Sequence, residues 1–247
     1  MSPDASLGGP VAVVTGAGSG IGRAIATALL RAEFRVALLG RHRDTLEATA
    51  AGHRTSLVLP ADITVDTEVA AAVEAVVRSW GRLDVLVNNA GTFGPRGAVD
   101  EISPDEFRRT LEVNLTGAFL CTHHAVRAMK VQEPRGGRII NNGSISAHVP
   151  RPRSVAYTAS KHAMTGLTRA TALDGREHGI TCGQIDVGNA RTEMTLDVEA
   201  GVGGTVEPTF DVVHVADAVL ALARLPLGVS VPSMTILATG MPYGGRG

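Results

Sequence analysis

The stretch Val11-Ala-Val-Val-Thr15-Gly16-Ala-Gly-Ser-Gly20-Ile-Gly22-Arg23-Ala-Ile-Ala-Thr-Ala-Leu-Leu-Arg31 decides the fold. Its first five residues are apolar or β-branched without alternation, the pattern of a strand buried on both faces of a parallel sheet. A glycine-rich turn follows, and then a run of good helix formers. Such a turn can fold tightly, let phosphate approach its backbone and seat an anion at the helix N-terminus. The spacing Gly16-x3-Gly20-x-Gly22 departs from the strict G-x-G-x-x-G string, yet the same physical roles can be met. Gly16, Ser19, Gly20, Ile21 and Gly22 are therefore the expected phosphate cradle. A plain tight turn is the bland alternative, and the position between the first strand and a helix argues against it.

Outward from this unit, strands and helices alternate. Strands are expected at Arg35–Leu39, Ser56–Pro60, Leu83–Val87, Gly136–Ile140, Gly179–Asp186 and Met234–Ala238. Helices are expected at Asp44–Ala51, Val65–Trp80, Val155–Glu177 and His214–Arg224, and Ser103-Pro-Asp-Glu106 reads as a capped start of a helix running, whole or broken, to about Met129. No linker or composition shift interrupts the pattern. It predicts one α/β domain over 1–247, a Rossmann-like doubly wound parallel sheet of about seven strands with helices on both faces. The irregular, glycine-rich stretch within 192–212 reads as a flexible substrate loop.

Composition excludes several classes. Lys and Arg number 23 and Asp and Glu 24, a formal charge of −1 that offers no footprint for nucleic acid or an anionic membrane. Cys121 and Cys182 are too few for a disulfide framework or a four-ligand zinc site, and no metal is expected. The first residues lack a basic run before an apolar stretch, and no run approaches the ~18 apolar residues of a membrane span. A cytoplasmic setting is expected.

Two further features carry chemistry. The second strand ends Leu39-Gly40-Arg41, with no acid at its tip to hold ribose hydroxyls. An arginine there favours a 2′-phosphate, so NADP is expected over NAD, unless Arg41 is merely a solvated charge. Tyr157 and Lys161 are four residues apart and share a helix face. A phenolate is scarce at neutral pH, and a lysine cation alongside stabilises it. Tyr157 thus becomes a proton donor to a carbonyl or acceptor from an alcohol, and the Ser144 hydroxyl, thirteen residues upstream, could hold the same oxygen. A lone Tyr-x3-Lys pair is usually an exposed helix face. In a chain with only two tyrosines and a dinucleotide fold, it points to catalysis.

Thr15-Gly-Ala-Gly-Ser-Gly-Ile-Gly22, Asp62, Asn88-Asn-Ala-Gly91, Asn114, Gly143-Ser144 and Tyr157-x3-Lys161, in this order, make the chain resemble the short-chain dehydrogenase/reductase family over nearly its whole length. The resemblance implies an NAD(P)-dependent oxidoreductase interconverting an alcohol and a ketone or aldehyde by hydride transfer. It implies that Asp62 bonds the adenine amino group with Ile63 beside the ring, and that Asn89, Ala90 and Gly91 line the cofactor cleft. It makes Tyr157 the acid/base and has Lys161 bond the nicotinamide ribose. Ser144 orients the carbonyl, Asn114 holds a relay water, and Gly188 and Thr192 meet the nicotinamide end. Val187 stands where the family usually has proline. The small faces of the helix from Val155 suit a homo-oligomer, dimer or tetramer. A non-catalytic dinucleotide-binding protein and a lyase or epimerase on the same fold are the alternatives. His148 could line the substrate cleft, Asp186 reads equally as a structural acid or a cofactor contact, and His123 and His124 read as ordinary surface or partly buried residues.

Overall fold

The computed structural model describes residues 8–192 and 207–243. Its strands are β1 (Val11–Thr15), β2 (Arg35–Gly40), β3 (Ser56–Pro60), β4 (Val85–Asn88), β5 (Gly137–Asn142), β6 (Ile180–Val187), β7 (Ala190–Arg191), β8 (Phe210–Asp211) and β9 (Ser233–Ile236). Seven of them form one parallel sheet in the order β3-β2-β1-β4-β5-β6-β9, while β7 and β8 pair separately. The order reverses between β1 and β4. In doubly wound sheets, ligands bind beyond the carboxyl ends of the strands at this switch point.

Burial explains the unalternating apolar runs. In β1, Ala12 and Val14 face one core layer with Ile25, Leu29, Val215 and Val219, whereas Val11 and Val13 face the other with Val69, Val76, Ala125 and Met129. Successive side chains point to opposite faces, so a strand covered on both sides must be apolar throughout. Each fully buried Val, Leu or Ile contributes on the order of 1.5–3 kcal/mol. The layers are built by α1 (Gly20–Arg31) and α2 (Arg43–Ala50) on one face and α3 (Asp66–Trp80) on the other. Further along are α4 (Pro104–Leu111), α5 (Gly117–Val131), α6 (Val155–Gly175) and α7 (Val213–Ala223).

Two local differences from the sequence expectation matter for the site. The helix from Ser103 starts with the expected capping box: the Ser103 hydroxyl accepts the Glu106 N–H, and the Glu106 carboxylate accepts the Ser103 N–H at 3.0 Å. It then breaks into α4, a π-helical turn at Glu112–Thr116, and α5. The turn carries Asn114, whose buried carboxamide is tied outside the helix, and α5 opens on Gly117, where a Cβ would meet Ile63 Cδ1 at 2.6 Å. The second difference is at the expected loop over 192–212. Residues 193–206 of it lie outside the described residues, but Phe210–Asp211 is a strand, in parallel register with Ala190–Arg191.

Candidate active site

The phosphate cradle is shaped by a latch between β1 and the end of β4. The buried Thr15 hydroxyl accepts the N–H groups of Asn89 and Ala90 at 2.9 and 3.0 Å and donates to the Val87 carbonyl at 3.3 Å. Gly16, at φ +65°, lies where a Cβ would be 2.9 Å from the Ala90 Cα. A Cβ on Gly22 would collide with the Gly16 carbonyl oxygen and the Asn89 amide. Only glycine lets the backbone close this tightly. At the start of α1, Ser19 makes no side-chain capping bond, and no acidic residue occupies the first turn. The helix dipole and orphan N–H groups are thus left for an anion from outside. Thr192 borders the same turn: a Cβ on Gly20 would lie 3.5 Å from its Cγ2. Glycine turn, helix terminus and Thr192 together fit a pyrophosphate-linked dinucleotide. The Ile21 side chain is partly buried against the core layer of α1 and α7.

At the other end of the cleft, Asp62 follows β3 and Arg41 follows β2. Asp62 Oδ1 accepts the Thr64 N–H and hydroxyl at 2.9 and 2.8 Å. These two bonds, with a smaller contribution from the Arg41 guanidinium, hold its carboxyl below the usual carboxylate range. Arg41 is exposed and close enough to be felt by Asp62. Ile63 is buried in the core layer of α3 and α5.

The centre of the sheet is braced by asparagines. Asn88 donates to Asn141 Oδ1 and the Thr122 hydroxyl, both at 2.9 Å. Asn89 donates to the Thr15 carbonyl and accepts from Asn142 Nδ2, also at 2.9 Å. Asn114 Oδ1 accepts the Thr92 N–H at 2.7 Å, and its Nδ2 donates to the Thr92 carbonyl at 2.8 Å and to Ser160 Oγ at 3.0 Å. Gly91 is beside it, with a would-be Cβ 3.2 Å from Asn114 Oδ1. Gly188, beyond β6, donates its N–H to the Ile236 carbonyl at 2.8 Å.

Ser144 lies just beyond β5, and Tyr157 and Lys161 lie together on the first turns of α6. Lys161 is 6% exposed; its Nζ donates to the Asn142 carbonyl at 2.7 Å and stands 5.6 Å from the Tyr157 ring centroid. Ser144 is buried, and its Oγ accepts the Ser146 N–H at 3.1 Å, which leaves its own proton to donate. One feature was missed in the sequence. Phe93 stacks on Tyr157 with centroids 4.7 Å apart, and the Arg96 guanidinium lies 5.1 Å from the Phe93 ring; the only hint was an aromatic two residues after Gly91. Asp186, expected as a structural acid or a cofactor contact, makes structural bonds to the Ser144 main chain and to His148.

Other expected bystanders are accounted for. Cys121 and Cys182 are buried free thiols pushed up to about 12 by burial. His124 meets Asp66 at 2.8 Å, and no described group of His, Cys, Asp or Glu could hold a metal. No described helix is long and apolar enough to cross a membrane.

Comparison with known proteins agrees with this geometry. Trans-4-hydroxycyclohexanecarboxylate dehydrogenase of Sinomonas cyclohexanicum is 37% identical over 78% of this chain and 77% of its own length. Two solved structures share the fold. A 3-ketoacyl-(acyl-carrier-protein) reductase of Brucella melitensis, complexed with NADH, superposes with a TM-score of 0.82 at 26% identity over 94% of this chain and 98% of that one. An actinorhodin polyketide ketoreductase variant with NADPH gives 0.87 at 29% identity over the full length of both. The short chain dehydrogenase family profile matches residues 10–202. The chain belongs to the short-chain dehydrogenase family and is an NAD(P)-dependent oxidoreductase acting between an alcohol and a carbonyl.

Proposed function

We propose that Tyr157, Ser144 and Lys161 perform the proton chemistry of this oxidoreductase, with Asn114 bracing the set. The observation that carries the reading is the buried Lys161 ammonium, anchored on the Asn142 carbonyl and facing the Tyr157 ring beyond the carboxyl end of β5. In the reductive direction, the Tyr157 hydroxyl gives its proton to the carbonyl oxygen, and the Ser144 hydroxyl donates a hydrogen bond to the same atom. A bound nicotinamide supplies the hydride. Lys161 then faces the phenolate that remains, and in low-dielectric surroundings a fixed cation stabilises that charge strongly. Both Asn114 amide hydrogens are engaged by Thr92 and Ser160. A relay water there would therefore use Oδ1 or the main chain. Oxidation of an alcohol runs the same steps backwards.

The cofactor-binding set is Gly16, Ser19, Gly20, Ile21, Gly22, Arg41, Asp62, Ile63, Asn89, Ala90, Gly91, Tyr157, Lys161, Gly188 and Thr192, within one domain. The exposed Arg41 guanidinium favours NADP, since it can pair with a 2′-phosphate that NAD lacks. A homo-oligomer in the cytoplasm is part of the proposal. The oligomer is supported by Phe119 and Leu173, large apolar side chains exposed on α5 and α6 at 49% and 58%.

Tyr157→Phe is the test, because the ring and its stacking on Phe93 stay while the proton is lost. Reduction of a panel of ring and chain ketones should fall at least ~10²-fold, with NADPH binding retained. Unchanged turnover would remove Tyr157 from the mechanism and leave the non-catalytic or non-redox readings.

A further inference from the structure

Asp186, at the carboxyl end of β6, is 1% exposed and has no part in the chemistry above. Its carboxylate is nonetheless fully engaged. Oδ1 accepts the Ser144 N–H at 3.0 Å and the Gln184 side-chain amide N–H at 2.6 Å, and Oδ2 meets His148 Nε2 at 2.8 Å. Gly143 makes this approach possible, since a Cβ there would strike Asp186 Oδ1. A buried carboxylate is costly unless it is well bonded. This one holds the main chain of Ser144 and, four residues on, an imidazole whose side chain is 40% exposed.

A carboxylate only accepts hydrogen bonds, so the contact fixes Nε2 as the protonated nitrogen of His148. In the neutral ring, Nδ1 is then an acceptor. No hydrogen bond from the described residues reaches it. One carboxylate thus ties the His148 ring to the main chain of the residue whose hydroxyl would hold the reacting oxygen. An acceptor there matches a hydroxyl, and a substrate without one leaves Nδ1 desolvated and unpaired. Such a mismatch is a strong source of discrimination.

We propose that Asp186 is a positioning residue and that His148 Nδ1 accepts a hydrogen bond from a hydroxyl beside the reacting carbon, so that vicinal diols and α-hydroxyketones are preferred substrates. The inference rests on the oxidoreductase reading with Ser144 at the reacting oxygen.

The experiment compares trans-1,2-cyclohexanediol with cyclohexanol as substrates, each with NADP and NAD. The wild type should favour the diol in kcat/KM. His148→Phe should cut the diol-to-cyclohexanol ratio about tenfold, the worth of one hydrogen bond. His148→Gln should restore part of it, because its amide N–H can reach Asp186 and its oxygen remains an acceptor. Asp186→Asn should cut the ratio like His148→Phe, because an amide N–H facing Nε2 drives the proton to Nδ1. Nitrogen-15 NMR of the imidazoles reads that tautomer independently of turnover. A ratio unmoved by His148→Phe, a wild-type His148 protonated only at Nδ1, or turnover of neither probe would each overturn the proposal. In the last case, NADPH titration of the same sample shows whether the cofactor reading falls too.

Discussion

Thr15→Val removes one oxygen from the latch that joins β1 to the end of β4, with almost no change in side-chain volume. Three hydrogen bonds disappear, and the N–H groups of Asn89 and Ala90 are left without their acceptor in a position where Thr15 is 1% exposed. A buried donor stripped of its partner costs about 1–3 kcal/mol. Two of them cost about 2–6 kcal/mol, offset by about 0.8 kcal/mol for the extra apolar methyl. A net loss of about 1–5 kcal/mol is expected. In a chain of this size, 1 kcal/mol moves Tm by about 2–4 °C, so the melting point should fall by roughly 2–20 °C. Urea unfolding of the same variant should show a lower midpoint at unchanged slope. Thr15→Ser is the control: it keeps the oxygen and gives up only a methyl, at a cost of roughly 1 kcal/mol. NADPH should also bind more weakly to the valine variant, because Asn89 and Ala90 close the back of the glycine cradle. A valine variant within 1 kcal/mol of wild type, or a serine variant as damaged as the valine one, would refute the latch.

Three further outcomes follow from the same geometry. Gly22→Ala should abolish NADPH binding or folding, seen by fluorescence titration and circular dichroism, because its Cβ meets backbone oxygen that cannot swing away; normal binding would show the turn to be loose. Arg41→Asp should weaken NADPH at least about tenfold while sparing NADH, as befits loss of one charge-assisted phosphate contact; equal losses for both cofactors would mean that Arg41 never met the 2′-phosphate. Asp62 is held below its ordinary value of 3.8, chiefly by Thr64. A carboxyl depressed in the folded state stabilises at pH above its unfolded value and loses that contribution as pH falls through the folded one. Asp62→Asn should therefore be less stable than wild type near neutrality, with the gap closing below pH 3.8; a gap independent of pH would assign the loss to something other than charge.

Much of this was legible in the chain because backbone constraints leave marks that single residues report. The unalternating Val11–Thr15 run demanded a strand covered on both faces, and the glycines after it demanded a turn closed against another segment. Ser103 and Glu106 announced their capping box at the right spacing. The tyrosine and lysine were readable as a pair because helical periodicity puts them on one face. Contacts made across elements left no such mark. Phe93 reaches Tyr157 from an irregular segment after β4, and no local rule sets where its ring points. Asp186 could be seen at a strand end, but its bonding to Ser144 depends on the register of β5 against β6 and on the missing side chain of Gly143. A break somewhere between Ser103 and Met129 was allowed for without its place or form, since one residue too many in a helix has no compositional signature.

That π-helical turn at Glu112–Thr116 has a developmental reading. Inserting one residue into an α-helix rotates everything after it by roughly 100°, and a π turn absorbs the insertion locally so that both flanks keep their packing. The segment from Pro104 to Val131 can thus be viewed as one ancestral helix lengthened by a residue, with the surplus carrying the carboxamide that ties Thr92 to Ser160. Excising one residue from the turn should return a longer, straighter and better-bonded helix. The shortened protein would be a more regular α-helical structure and a poorer enzyme.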